Sequence, residues 1–111
     1  MANRDEDLSA LMVPAFFKAL ADPNRVALLK ELAARGGACT VTEVAVCCPV
    51  DISVVSRHLS TLRKAGILQA TKVGREVRYT VNARALVSTL REMADAIEAS
   101  CDAQEACKEV G

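Results

Sequence analysis

The stretch Asp51–Gly66, DISVVSRHLSTLRKAG, does more than any other to limit what this chain can fold into. Val55, Leu59 and Leu62 recur at i, i+4 and i+7, the spacing of a helix with one buried stripe. Asp51 is a favourable N-cap, expected to bond the free amides of the first turn. Gly66 suits the position just past a helix end, and Arg63 and Lys64 occupy the last turn, where the helix dipole favours cations. The opposite face carries Ser53, Ser56, Arg57, Ser60 and Lys64. Short hydroxyls and long cations on one exposed face suit phosphates and base edges. A merely solvated face would carry the same residues, so the neighbouring segments decide.

Upstream, Thr40-Val41-Thr42-Glu43 matches a capping box, a hydroxyl at the cap with a glutamate three residues on. It predicts a short helix with Val44, Cys47 and Cys48 on one side, closed by Pro49. Only Pro49 and Val50 then separate it from the Asp51 cap. Two helices joined so tightly, the second basic outside and apolar inside, form a helix-turn-helix. Downstream the period changes. In Glu76-Val77-Arg78-Tyr79-Thr80-Val81 apolar residues alternate with polar ones, as in a half-buried strand. Leu68–Lys72 supplies a partner strand and Val73-Gly74-Arg75 a turn. Lys72, Arg75 and Arg78 lie at or near the tip of the resulting hairpin, which has the place and charge of a wing; solubilising charges on an ordinary hairpin are the plainer alternative.

Two further helices precede this unit. Asp5–Leu20 has Leu8, Leu11, Met12, Ala15, Phe16 and Leu20 at helical spacing, with a start or kink at Pro14. Asp22 can cap a second helix with Pro23 at its first position, running to about Arg35 with Val26, Leu29 and Leu32 inward. Asn82–Ser100 reads as a last long helix striped by Leu86, Leu90, Met93, Ala94 and Ile97. Val87 widens that stripe beyond what a small domain needs, so the terminal helices could pack against a second copy. The expected architecture is mainly α with a small β-hairpin (α+β): three helices, a recognition helix, two strands and a fifth helix. Residues 1–111 are expected to form a single winged helix-turn-helix domain with dimerising terminal helices and a cysteine-containing C-terminal tail.

Net charge is zero, but the charge is segregated. From Ser53 to Arg91 the charged residues are Arg57, Arg63, Lys64, Lys72, Arg75, Arg78, Arg84 and Arg91, against Glu76 alone; beyond Arg91 acids dominate. Such asymmetry points to a localised anionic partner. Few aromatics (Phe16, Phe17, Tyr79) argue against base stacking on a sheet. No apolar run is long enough to span a membrane. The segment MANRDEDLSALMV lacks the apolar core of a signal peptide, so a cytoplasmic location is expected. In a reducing compartment the cysteines, Cys39, Cys47, Cys48, Cys101 and Cys107, are expected to be buried, metal-binding or redox-active rather than bridged. An enzyme is not expected: the sole histidine, His58, lies in the recognition helix, and there is no C-x-x-C motif or glycine-rich phosphate loop.

The chain resembles the ArsR/SmtB family of winged-helix, metal-sensing repressors. The resemblance spans roughly Phe16–Ile97. It is carried by Phe17-Lys18-Ala19-Leu20-Ala21-Asp22-Pro23-Asn24-Arg25, Ser56-Arg57-His58-Leu59, Leu62-Arg63-Lys64-Ala65-Gly66-Ile67-Leu68 and Gly74-Arg75-Glu76-Val77-Arg78-Tyr79. It implies a homodimer, built mainly from first and last helices, that binds double-stranded operator DNA of dyad symmetry. A metal ion, or a thiol oxidant in some branches, releases it. Ser53, Ser56, Arg57 and His58 fall where the family's recognition helix meets the major groove. With Ser60, Lys64, Lys72, Arg75 and Arg78 they make the expected DNA-contacting set.

The sensor site departs from the family's better-known patterns. The last helix has Asp95 and Glu98 but no histidine, so the His/Asp zinc site is absent. Thr40 and Thr42 stand where one branch has a Cys-Val-Cys element; Cys39, just ahead, is a further candidate. Cys47, Cys48, Cys101 and Cys107 remain as ligands. Cys48 falls where the family usually has a buried leucine, so core packing and ligation are both open for it. Cys101 and Cys107 resemble tail cysteines of some arsenic-responsive members, though a spacing of six needs a bent tail. Thiolates without histidine select soft ions: As(III) first, then Sb(III), Cd(II), Hg(II), Pb(II) and Cu(I). A redox- or sulfide-responsive repressor of the same fold, using disulfides or persulfides, is the alternative. No small organic substrate is expected.

Overall fold

A computed structural model describes residues 14–104, which fall into two compact units, Pro14–Ala83 and the segment from Arg84 onward. The expected helix start at Asp5, with Leu8, Leu11 and Met12, and Cys107 in the tail lie outside the described residues.

In the first unit, α1 is Pro14–Leu20 and α2 is Pro23–Arg35. The break between them follows from Asp22, whose carboxylate accepts from the N–H groups of Asn24 and Arg25, and from Pro23 at the first helical position. The inward face of α2 differs from the expectation. Leu28 and Leu32 are buried, whereas Val26 and Leu29 are only half-buried. The period of 3.6 permits either neighbouring stripe, and packing against α4 and the sheet selects the one with Leu28.

Cys39–Thr40 form a short strand, β1, and Val41–Val44 a single helical turn, α3. The capping box is present: Thr40 N–H donates to Glu43 Oε1 at 2.8 Å, and Glu43 N–H to Thr40 Oγ1 at 3.3 Å. The helix is shorter than expected, tightening into a 3₁₀ turn at Ala45–Cys47. This leaves Val44 and Cys48 buried and Cys47 half-buried.

The recognition helix, α4, is Ile52–Lys64. Val55, Leu59 and Leu62 are fully buried, as their spacing requires. Burying each such side chain contributes roughly 1.5–3 kcal/mol. Asp51 does not cap with its side chain; its backbone carbonyl instead accepts from Val54 and Val55 N–H at 2.9 and 3.0 Å. Its carboxylate is exposed, where water replaces the capping bond at little cost. At the other end Gly66 adopts φ +82°. Gly66 N–H donates to Arg63 O and Ile67 N–H to Leu62 O, the paired bonds of a Schellman stop.

The strands β2 (Leu68–Val73) and β3 (Glu76–Val81) pair antiparallel through a two-residue turn, Gly74-Arg75. Gly74 has φ +63°, which hairpin turns of this length need at their first central residue. The sheet is three-stranded, in the order β1-β3-β2, rather than the expected hairpin alone. Cys39 lies opposite Tyr79 and Thr40 opposite Arg78. Two residues are too few to show an alternation, so this strand is visible only through its partner.

The last helix, α5, is Ala83–Gln104, and all of it from Arg84 belongs to the second unit. Met93 is buried and Leu86 half-buried, while Val87, Leu90, Ala94 and Ile97 are exposed. Among the described residues no helix is long and apolar enough to cross a membrane.

Candidate nucleic-acid interface and thiol pair

The buried stripe of α4 leaves Ser53, Ser56, Arg57 and Lys64 exposed and Ser60 half-exposed on the opposite side. These positions fall within about one-third of the helix circumference at ~100° per residue. Next to this face lies an open groove of about 590 Å³, lined by Ser56 of α4, Thr42 and Glu43 of α3, and Arg78 and Tyr79 of β3. The recognition helix and the base of the wing therefore border one surface.

The wing cations are not equivalent. Residues directly opposite in a hairpin share a face, and successive residues alternate. Lys72 is opposite Val77 and Arg78 opposite Thr71, so Lys72 and Arg78 point to opposite faces of the wing. Arg75 sits in the turn and is exposed. Arg78 Nη2 donates to Glu76 Oε1 at 2.9 Å. Among the described residues it is the one member of the expected DNA-contacting set, His58 aside, held in an ion pair.

His58 departs from the expected DNA-contacting set. It stands about 140° round the helix from Ser53, beside the buried stripe. Its Nδ1 is 3.1 Å from Arg25 Nη1, and its side chain is 15% exposed. The sequence carried this signal: His58 is three residues after Val55 and four before Leu62, both buried. Arg25, absent from the expected set, is the residue that receives it.

The thiols divide into separate environments. Cys47 and Cys48 form a vicinal pair with sulfurs 3.3 Å apart. Cys48 is buried, its thiol 3.7 Å from Asn24 O, while Cys47 is half-buried. Burial, then the adjacent Cys48 thiol, pushes Cys47 up to about 11, so it is a protonated thiol at neutral pH. A soft ion held there has to displace a proton. Cys39 is buried opposite Tyr79, donating to Gly37 O at 3.5 Å. Cys101 is half-buried on α5. Among the described residues no three His, Cys, Asp or Glu side chains gather in a way that could hold a metal ion. Two-thiol ligation is what the Cys47–Cys48 pair can offer by itself.

Comparison with known proteins gives a consistent picture. Residues 20–69 match the model of a helix-turn-helix domain. The chain is 36% identical over 91 residues to a transcriptional repressor SmtB homolog of Synechocystis sp., covering 82% of this chain and 67% of that protein. It is 37% identical over 90 residues to the HTH-type transcriptional regulator CmtR of Mycobacterium tuberculosis, covering 81% and 74%. The NMR structure of that regulator, described as a cadmium metal-sensor, aligns with TM-score 0.50 at 40% identity over 60% of this chain and 67% of the other. An ArsR-like transcriptional regulator from Rhodococcus sp. RHA1 aligns with TM-score 0.71 at 28% identity, covering 95% and 92%.

Proposed function

This chain belongs to the ArsR/SmtB family of winged helix-turn-helix transcriptional regulators, and on that premise we propose that it is a cytoplasmic repressor that binds operator DNA as a homodimer and is released by a thiophilic ion, As(III) first. The observation that carries the reading is the position of the Cys47–Cys48 pair. It lies three residues ahead of Asp51, at the entry to the helix that offers Ser53, Ser56, Arg57, Ser60 and Lys64 to DNA. Arg75 in the exposed wing turn and Lys72 on the strand next to it are the wing cations that meet phosphates. The exposed apolar residues Val87, Leu90 and Ile97 of α5 supply a stripe for a second copy. In a two-fold dimer the two recognition helices meet successive major grooves about 34 Å apart.

Ligation at the pair removes the proton of each thiol and reorients the Cys47–Cys48 turn. Pro49 and Val50 pass that movement to α4. A coupling of ~1–3 kcal/mol weakens DNA binding about 5–150-fold, enough for induction. The absence of any histidine other than His58 favours soft ions over zinc. Cys101 with Cys107 is a second thiolate pair for the same class of ion, and Cys39 a reserve ligand. Cd(II) is tested beside As(III) because the CmtR structure is described as a cadmium sensor. A redox reading rests on the same 3.3 Å sulfur spacing: the two thiols lose two electrons and two protons to a peroxide and join as a disulfide.

Fluorescence anisotropy of labelled DNA from upstream of the protein's own gene tests these readings. Reduced protein binds tightly, As(III) or Cd(II) releases it, and Zn(II) does not. Cys47→Ser and Cys101→Ser variants assign the ligands. Release by peroxide or polysulfide and not by soft ions transfers the signal to redox chemistry. Failure to bind at low salt refutes the repressor.

A further inference from the structure

The junction of α1, α2 and α4 holds an arrangement that neither the DNA face nor the thiol pair uses. Arg25 donates from Nε to Ala19 O at 2.7 Å and from Nη2 to Lys18 O at 3.0 Å. Both carbonyls belong to the last turn of α1, and Lys18 O also accepts from Ala21 N–H at 3.2 Å. Its remaining arm, Nη1, is 3.1 Å from His58 Nδ1 on α4. A guanidinium can only donate, so Nδ1 is the acceptor and the imidazole proton sits on Nε2. Nε2 lies 4.0 Å from Asp22 Oδ1, the same carboxylate oxygen that accepts from Asn24 and Arg25 N–H at the start of α2. Arg25 and His58 are 18% and 15% exposed, so water competes little for these bonds.

We infer that His58 is a positioning residue, whose neutral Nδ1 ties the recognition helix to Arg25 and so sets the rotation at which Ser56 and Arg57 face DNA. The aliphatic stripe Val55, Leu59 and Leu62 holds α4 down, but hydrophobic contact is non-directional. A hydrogen bond has an angular preference that resists rolling of the helix about its own axis. His58 follows Arg57 directly, so a roll at one moves the other, and base-edge contacts depend on orientation. The inference rests on the DNA-binding reading, and its test separates the two.

Operator binding is measured by anisotropy at fixed salt, with melting curves as the folding control. His58→Ala is expected to weaken binding about tenfold, the loss of one bond to a charged group. Arg25→Lys, which loses the planar fork, has a similar effect. The double variant binds no worse than the weaker single, because both remove one interaction. His58→Asn puts an amide oxygen near the place of Nδ1 and restores binding to within about threefold, a residue of less than 1 kcal/mol. His58→Gln reaches the Nε2 position and does not restore it. Wild-type affinity in His58→Ala, additive losses, or equal rescue by Asn and Gln overturns the inference. The tautomer is read independently by ¹⁵N spectra of the DNA-free protein. Protonated Nε2 and bare Nδ1 are expected, and a neutral ring protonated at Nδ1 overturns the inference whether or not DNA binds. Wild-type protein that binds no operator refutes the DNA reading, and the spectra then still decide the His58–Arg25 bond.

Discussion

If the wing meets phosphates, Arg75→Ala and Arg78→Ala will change the salt dependence of operator binding by different amounts. Arg75 is exposed in the hairpin turn, whereas Arg78 is held by Glu76 at 2.9 Å. Each phosphate neutralised contributes about −0.9 to the slope of log affinity against log salt. A dimer presents each residue twice, so losing Arg75 should flatten the slope by about 1.8. Between 50 and 200 mM salt wild-type affinity then falls about tenfold further than that of the variant. Arg78 has to leave Glu76 before it can neutralise a phosphate, so Arg78→Ala should flatten the slope by less than half as much. Glu76→Gln releases Arg78 and should steepen it. Anisotropy titrations at several salt concentrations give the slopes, and melting curves check that these surface changes leave the fold within about 0.5 kcal/mol. Equal flattening by both arginine variants, or an unchanged slope in Arg75→Ala, would refute the assignment of the wing tip.

Three further outcomes follow from local geometry. Gly66→Ala meets no atom within 4 Å, so its cost is that of a left-handed alanine, ~1–2 kcal/mol, offset partly by a stiffer unfolded chain. Its melting temperature should fall, while Gly37→Ala, equally open but outside the left-handed region, should raise it; a rise in both would contradict the Schellman stop. Cys47, pushed from 9.0 to about 11, should react with iodoacetamide at neutral pH about a hundredfold more slowly than an ordinary thiol, as its thiolate fraction dictates. Peptide mass spectrometry over time reads this, and labelling at the ordinary rate would show that burial does not protect it. Because its folded value is raised, the associated stability is full below pH 9 and lost as pH rises towards 11. Asp22 has the opposite sign. Its carboxyl is held below 3.8, first by the Arg25 backbone N–H, so its contribution is present above that pH and disappears as pH falls further. Wild type and Asp22→Asn should therefore converge in stability under acid, and a gap that widens would be inconsistent with the cap.

The order of helices, the hairpin and the main buried stripe of α4 were legible in the sequence because each rests on local spacing. The capping box at Thr40, the restart at Asp22-Pro23 and the stop at Gly66 all involve groups within a few residues, and each is present. Local reasoning failed where a competing local option was equally good. Asp51 has the right side chain to cap α4, but its backbone carbonyl suffices and the carboxylate stays exposed.

The spacing of Val55, Leu59 and Leu62, the strongest apolar residues of α4 at helical period, marked the face that is buried and left Ser53, Ser56 and Arg57 on the other. Charge segregation likewise points to a basic central segment from the sequence itself. Only the tertiary structure decided that β1 joins the sheet, that Lys72 and Arg78 point apart, that Leu28 is an inward residue of α2, and that His58 turns to Arg25 across a separation of 33 residues. Pairing register and packing join residues far apart in the chain. Their energies depend on what each side chain meets, which spacing along one element cannot supply.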